Sequence, residues 1–212
     1  MTESHPPQRF TMPIGARLET LPASLPAALD SLWAHIATGL DGRWSPWGLP
    51  TFVTVAEDGA PRARVLAVRG VDAQRRRFTF HADARSDKMR DIAAESRVSL
   101  LFFDRDDAVQ ARFDGNAAVH HADPEAAAAW RNVSALRRSA CAVELEHGEA
   151  LDAPERFDRL AAMPDPDAAF TNFVLIAVEV SAIDWLWLGP HDMRRARYAW
   201  NGSRWSGSWI VP

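Results

Sequence analysis

Residues 62–121 read RARVLAVRGVDAQRRRFTFHADARSDKMRDIAAESRVSLLFFDRDDAVQARFDGNAAVHH, and their pattern is the strongest indication of the fold class. It contains four short apolar runs, each bounded by polar or arginine-rich turns, which is the pattern of β-strands. One interruption, from Ser86 to Ser96, reads as a short helix. Strands joined by tight turns, with little helix between them, are typical of an antiparallel sheet.

The same pattern continues on both sides of this stretch. Upstream, TFVTVA at residues 51–56 is followed by Glu57-Asp58-Gly59, which predicts a β-hairpin. Near the end of the chain, FVLIAVEVSAIDWLWL, RRARYAW and RWSGSWIVP are predicted strands, and Asn201-Gly202 predicts a hairpin between the last two. About seven strands in all predict a mainly β protein with short helices (α+β), built as an antiparallel barrel. A dinucleotide-binding fold is not supported, because no G-x-G-x-x-G motif follows a strand.

Helices are predicted before the barrel and between its strands. Apolar residues recur at helical spacing from Leu25 to Leu40, which indicates an amphipathic helix. Asp123 followed by Pro124 predicts the start of another helix, and residues 135–148 and 154–163 predict two more. We expect one domain, with residues 1–48 forming an N-terminal arm and a helix packed on a barrel of residues 49–212.

Composition narrows the classes of partner. The formal net charge is −4, so the overall field does not favour nucleic acid or an anionic membrane. Cys141 is the single cysteine, which excludes an internal disulfide and fits a reducing cytoplasm. The first residues, MTESHPPQRF, lack the apolar core of a secretory signal, and the run FVLIAVEV is too short to span a bilayer. We expect a cytoplasmic protein without a metal site, since no zinc-binding spacing occurs among its histidines.

Lys88 is the only lysine of the chain, and the other lysine or arginine positions are all arginine. Ser86 and Lys88 lie at the predicted start of a helix, where unpaired N–H groups and aligned peptide dipoles favour an anion. Together with Arg62, Arg64 and Arg85, they predict a phosphate site. The alternative that these residues leave open is that Ser86 caps the helix and Lys88 is solvated surface.

The runs RVLAVRGVD, FTFHADARSDK, RVSLLFF and VQARFDGNA resemble the flavin-binding core of the pyridoxine/pyridoxamine 5′-phosphate oxidase family. The resemblance extends from about Thr51 to His121 and resumes in WLWLGPHDMRRARY, residues 185–198. It implies a split β-barrel homodimer that binds FMN in the cleft between its two subunits. It also implies a redox reaction on a small molecule, for which the flavin supplies the chemistry.

The resemblance further implies a set of cofactor contacts. Arg64 and Lys88 match the arginine and lysine that contact the phosphate. Gln110 matches a glutamine that hydrogen-bonds the flavin, and Trp187 and Arg197 match a tryptophan and an arginine that close the flavin pocket. The other implied contacts are Val65, Leu66, Arg69, His81, Ala82 and Ser86.

Departures from the family pattern bear on the substrate. Asp87 stands where the oxidase has an arginine, so one phosphate contact is missing. Met193 and Arg195 replace an arginine and a histidine that hold pyridoxine phosphate in the oxidase, and Ala128 and Asn132 fall near its substrate-phosphate tyrosine and arginine. We therefore predict an FMN-binding oxidoreductase with a different substrate and name no catalytic acid or base. The alternatives are a pyridoxine/pyridoxamine 5′-phosphate oxidase of vitamin B6 salvage and a non-catalytic flavin- or ligand-binding barrel.

Overall fold

A nine-stranded antiparallel sheet dominates the computed structural model, which describes residues 22–40, 45–143, 145, 147–156, 166–189 and 192–212. Its strands are β1 (Thr51–Val55), β2 (Pro61–Val65), β3 (Val68–Asp72), β4 (Arg77–Asp83), β5 (Arg97–Asp104), β6 (Val109–His121), β7 (Phe173–Leu188), β8 (Met193–Trp200) and β9 (Trp205–Ile210). The helices are α1 (Leu25–Gly39), α2 (Asp87–Ala94), α3 (Pro124–Arg131), α4 (Ala135–Cys141) and α5 (Pro166–Thr171). The predicted class, mainly β with short helices, is confirmed.

The sheet forms a barrel that hydrogen bonds do not close. Its strand order is β2-β1-β5-β6-β7-β4-β3, so the two strands at its ends follow each other in the chain. Only Leu66 and Ala67 join them, which keeps the end of β2 within about 10 Å of the start of β3. No hydrogen-bonded ladder joins these two fully described strands. The predicted split barrel is therefore confirmed.

The count of about seven strands was too low, partly because RARVLAVRGVD is two strands rather than one. The chain leaves the sheet at Leu66 and Ala67, between β2 and β3. The N–H of Leu66 donates instead to the carbonyl oxygen of Pro50, at 3.2 Å. An alternating run of apolar residues does not reveal this break, since both strands continue the same pattern.

The longest strand, β7, separates two ends of the molecule. One edge of β7 pairs with β6 along most of its length. The other edge pairs with β4 over Phe173–Glu179 and with β8 over Ala182–Leu188. Residues on β4 and residues on β8 thus lie at opposite ends of one strand.

Aromatic side chains fill the barrel, and α1 covers one opening. Phenylalanines of four strands are fully buried there, namely Phe52, Phe78, Phe80, Phe102 and Phe113. Leu32, Trp33 and Ile36 of α1 pack on them, and the Trp33 ring stacks 5.5 Å from that of Phe78. Burying each such side chain stabilises the fold by about 1.5–3 kcal/mol. The Tyr198 hydroxyl also donates to the carbonyl oxygen of Leu25 at 2.8 Å, which ties α1 to β8.

The predicted helices agree with the structure in part. α1 is confirmed, and α3 begins as predicted, because the Asp123 side chain accepts from the Ala126 N–H at 2.8 Å. The helix predicted over residues 135–148 ends at Cys141. Most of the helix predicted over residues 154–163 lies outside the described residues, as do residues 1–21 of the predicted N-terminal arm. The division at residue 48 stays a prediction. Across the described residues, each helix lacks the length and apolar character that crossing a membrane requires.

Candidate functional site

Arg64 projects from β2 toward α2, and Arg62 lies on the same side of the strand. Residues two apart on a strand share a face, so β2 presents both guanidinium groups together. The antiparallel register places Arg62 opposite Thr54 and Arg64 opposite Phe52 of β1. Arg64 donates to the Thr54 hydroxyl oxygen at 2.6 Å. Two of the arginines near the predicted phosphate site are thus brought to one place.

Asp91 of α2 is the buried acceptor of this group. Only 3% of the Asp91 surface is exposed to solvent. One carboxylate oxygen accepts from the Thr54 hydroxyl at 2.7 Å and lies 3.5 Å from Arg64, and the other lies 3.3 Å from Arg62. A buried carboxylate with this many donors is well satisfied, and it holds the arginines in a defined arrangement.

Lys88 joins the group from the first turn of α2. Its ammonium donates to the Ser86 hydroxyl at 2.7 Å, and that hydroxyl donates to the carbonyl oxygen of Asp83 at 2.6 Å. The Ser86 side chain makes no capping hydrogen bond to the described α2, and Lys88 is half-buried. Both observations argue against the alternative of a simple cap beside a solvated lysine.

The electrostatics of this group favour an added anion. Burial lowers the pKa of Lys88, and repulsion from Arg64 lowers it further. The pKa of Arg64 is also lowered by burial, although Asp91 opposes this effect. The first N–H groups of α2 add partial positive charge at the same point. The donor set therefore suits a phosphate, which is the group that the family resemblance implied for Arg64 and Lys88.

Arg85 does not join this group. It forms a two-point ion pair with Asp83, with the closest contact at 2.7 Å. It also donates to the carbonyl oxygens of Val143 and Leu145, at 2.8 and 3.0 Å. Its contacts hold the segment after α4 against the end of β4.

A cavity of about 490 Å³ contains three of the other predicted contacts, Arg69, His81 and Ala82. Arg137 of α4 lines it as well. Burial lowers the pKa of Arg69 to about 10, and the positive charge of Arg137 is the second cause of this shift. Burial, followed by the charges of Arg69 and Arg137, lowers the pKa of His81 to about 4. The His81 imidazole is therefore neutral at pH 7. Its buried Nδ1 has no hydrogen-bond partner among the described residues.

Val65 and Leu66 lie where β2 ends. Val65 is 61% exposed, which is unusual for a large apolar side chain, and Leu66 packs against the barrel core. The end of β2 thus presents backbone and an apolar side chain at the split of the barrel, next to Arg64.

The remaining predicted contacts, Gln110, Trp187 and Arg197, lie elsewhere in the chain. His81 pairs with Leu175 near the start of β7, whereas Trp187 is twelve residues further on, about 40 Å along the strand at 3.3 Å per residue. Gln110 pairs with Leu186 and so lies beside Trp187, but the two side chains point to opposite faces. Lys88 lies at the same end of β7 as His81, because it donates to Ser86, Ser86 donates to Asp83, and Asp83 pairs with Phe173 at the start of β7. The second set is therefore at the opposite end of β7 from Lys88.

Trp187 and Arg197 have different surroundings. Trp187 is 5% exposed, and its indole N–H has no partner in the described part of the chain. A Cβ added to Gly189 would lie 2.0 Å from the Trp187 ring, so this close packing requires glycine. Arg197 is on the outer face of β8 and donates to Asp184 at 3.0 Å.

Sequence reasoning missed three polar residues that organise these groups. Asp91 lies one helical turn after Lys88, and Thr54 follows from pairing β1 with β2 across the Glu57-Asp58-Gly59 turn, so helical spacing and strand register would have identified both. Asp184 is an acid within an apolar strand and is 6% exposed, and Arg195 and Arg197 both bind it. Among the described residues, no group of three or more histidine, cysteine or acidic side chains is arranged to hold a metal ion.

Comparison with known proteins supports the resemblance. The family model described as pyridoxamine 5′-phosphate oxidase matches residues 49–165. A pyridoxine/pyridoxamine 5′-phosphate oxidase of Burkholderia lata is 43% identical over 53 residues, which are 25% of this chain and 24% of that protein. The chain thus matches about a quarter of the length of this curated relative.

Two solved structures share the fold. A pyridoxamine 5′-phosphate oxidase-related, FMN-binding protein of Nostoc punctiforme superimposes with a TM-score of 0.70 at 23% identity, over 84% of this chain and 94% of that one. PhzG of Burkholderia lata, solved with tetrahydrophenazine-1-carboxylic acid, gives a TM-score of 0.70 at 22% identity, over 90% and 94% of the two chains. At this level of identity the likeness establishes the fold alone.

Proposed function

The chain belongs to the pyridoxamine 5′-phosphate oxidase family, and on that premise we propose that it is an FMN-binding oxidoreductase. The observation that carries this proposal is the meeting of Arg64 and Lys88 at the start of α2. Among the described residues around them, Arg64 and Lys88 are two cations that share the buried carboxylate of Asp91, and they lie at the positive end of the α2 dipole. A phosphate monoester would supply further negative charge at this point.

The chain's own residues would hold FMN in two places. Arg64, Lys88 and Ser86 would bind the phosphate, while the exposed end of β2 would lie along the cofactor. Bound flavin would supply hydride or electron transfer, and the protein would supply binding, orientation and electrostatics. The neutral His81 imidazole and the Arg69 guanidinium would line the adjacent cavity of about 490 Å³.

We further propose that the working unit is a homodimer. Gln110, Trp187 and Arg197 lie at the far end of β7 from the cluster of Arg64 and Lys88. A second copy of the chain would therefore have to supply them to the same flavin. Several large apolar side chains are exposed for such contact, among them Phe103 and Trp209 at 40% and 43%. Trp187, with its unpartnered indole N–H, fits a site that is completed by another molecule.

The proposed substrate is not pyridoxine 5′-phosphate. Met193 is 53% exposed and offers an apolar wall. Arg195, at the second altered position, forms a two-point ion pair with Asp184 at 2.8 and 2.9 Å, so its guanidinium is already engaged. A site that has lost the arginine–histidine pair which orients a substrate selects that substrate less well. We propose a flatter or more apolar small molecule.

The absorbance spectrum of the purified protein, before and after reduction, tests the flavin proposal. We expect a yellow protein that bleaches with a reduced nicotinamide, whereas a colourless protein that takes up no FMN would refute the proposal. Replacing both Arg64 and Lys88 with alanine should raise the Kd for FMN at least about 100-fold, because each charge-assisted bond contributes about 1.5–3 kcal/mol. The Arg75→Ala, Arg97→Ala double variant is the control, since both side chains are over three-quarters exposed and carry the same total charge.

Substrate assays separate the alternatives. Release of hydrogen peroxide from pyridoxine or pyridoxamine 5′-phosphate at about 1 s⁻¹ or faster would favour the vitamin B6 salvage oxidase. A protein that binds flavin but is reduced neither by a nicotinamide donor nor by either vitamer phosphate would favour the non-catalytic barrel.

A further inference from the structure

The residue cluster around Arg64 and Lys88, which we propose binds the phosphate, contains two residues to which the family resemblance gives no role, Arg62 and Asp91. Asp91 is buried and contacts the guanidinium groups of both Arg62 and Arg64. It also accepts the hydroxyl hydrogen of Thr54, which itself accepts from Arg64. Arg64 is therefore fixed to Asp91 both directly and through Thr54.

Charge balance explains why Arg62 accompanies a buried carboxylate. Arg62, Arg64 and Lys88 are three cations around one anion, Asp91, which leaves two positive charges. A phosphate monoester carries about −1.5 to −2 at pH 7, so this excess matches its charge. Without Arg62, Asp91 would neutralise most of the charge that Arg64 presents.

Four other carboxylates lie close to this cluster. Glu57 and Asp58 line a surface pocket with Arg62 and Asp91, but both are exposed, so water screens their charges. Asp83 and Asp87 attract Lys88, and each has an arginine partner. Asp83 pairs with Arg85, and Asp87 pairs with Arg90 one turn along α2. Asp87 also stands at the position where the family has an arginine. Arg62 on β2 is the counterpart of that missing cation.

We infer that Asp91 and Arg62 are positioning residues of the phosphate site: Asp91 holds the Arg64 guanidinium beside Lys88, and Arg62 offsets the charge of Asp91. The inference rests on the proposed function, since it concerns the phosphate of the same flavin. It assigns recognition of the phosphate to a four-residue network rather than to Arg64 and Lys88 alone.

Comparing FMN with riboflavin isolates this role, because riboflavin lacks the phosphate. The Kd of each flavin would be measured by fluorescence quenching with the full chain stripped of cofactor. We expect Arg62→Ala to raise the Kd for FMN about tenfold, the scale of one charge-assisted bond, and to leave the Kd for riboflavin within about twofold. Arg62→Lys keeps the charge and should retain most of the FMN affinity. Arg75→Ala, which removes an exposed arginine paired with Asp72, is the matched control and should change neither constant.

Asp91→Asn tests the other half of the inference. We expect weaker FMN binding, again by about tenfold, with riboflavin affinity unchanged, because Arg64 loses its ionic anchor. Tighter FMN binding by this variant would show that Asp91 only subtracts charge, and equal losses for both flavins would show a merely structural role. If Asp91→Asn does not fold, the Arg62 variants still decide: unchanged FMN affinity in Arg62→Ala, with affinity lost in Arg64→Ala, overturns the network. A wild-type protein that binds neither flavin would instead defeat the proposed function.

Discussion

The neutral, half-buried His81 should make the stability of the protein depend on pH between about 6.5 and 4. Burial is the largest cause of its lowered pKa, and the charges of Arg69 and Arg137 follow. The folded-state pKa of about 4 lies below the ordinary value of about 6.5 for an unfolded chain. Above about pH 7 the imidazole is neutral in both states and contributes no pH dependence. As the pH falls through 6.5, the unfolded chain binds a proton that the folded protein excludes, so stability is lost until about pH 4.

The size of the effect follows from the two pKa values. A change from about 6.5 to about 4 corresponds to roughly 3 kcal/mol, at 1.36 kcal/mol per pKa unit. Solvent reaches part of the ring and screens its charge, which reduces the expected loss to about 2 kcal/mol. That is a large share of the 5–15 kcal/mol by which folded domains are usually stable.

Two measurements check this reasoning. Denaturant unfolding at pH 7.5, 5.5 and 4.5 should show wild type losing about 1–2 kcal/mol more than His81→Phe, which keeps an aromatic ring against Phe173 but cannot titrate. An NMR titration of the His81 ring should give a midpoint well below 6.5, and Arg69→Ala should raise that midpoint by removing a neighbouring charge. A wild-type midpoint near 6.5, or equal acid sensitivity in the two proteins, would refute the account.

Three further predictions concern the barrel and its assembly. Gly115→Ala should lower the free energy of unfolding by about 2–3 kcal/mol, because its Cβ would lie 2.2 Å from the carbonyl oxygen of Glu179, whereas Asn116→Ala at the next, exposed position should cost under about 0.5 kcal/mol. Tyr198→Phe should lower the free energy of unfolding by about 1 kcal/mol in a urea titration, since it removes the hydrogen bond to Leu25, and an unchanged midpoint would mean that this bond does not hold α1. Sedimentation at micromolar concentration should give a dimer, with an interface of about 2,000 Å² or more; a monomer that binds FMN tightly would contradict the two-chain site.

Much of this architecture follows from local sequence signals. Alternating apolar residues and the turn residues Glu57-Asp58-Gly59 and Asn201-Gly202 predict the hairpins, because side-chain alternation and turn geometry act over a few residues. Asp123 followed directly by Pro124 predicts the start of α3, because helix capping also acts over a few residues. The two cations of the candidate phosphate site could also be predicted from the sequence, because Lys88 lies in the first turn of a predicted helix and Arg64 lies on a predicted strand.

Other features depend on contacts between residues distant in sequence. The burial of Asp91 beside Arg62 and Arg64 arises only when α2 packs against β1. The lowered pKa of His81 arises only when the folded chain buries its ring and brings the charges of Arg69 and Arg137 near it. Desolvation and Coulomb energies depend on where side chains lie in space, and sequence spacing does not encode that. Local sequence patterns were sufficient to predict the strands, the turns and the candidate cations. The tertiary structure decided that β2 and β3 part at Leu66, and that Trp187 and Arg197 lie at the far end of β7, because long-range strand pairing sets both.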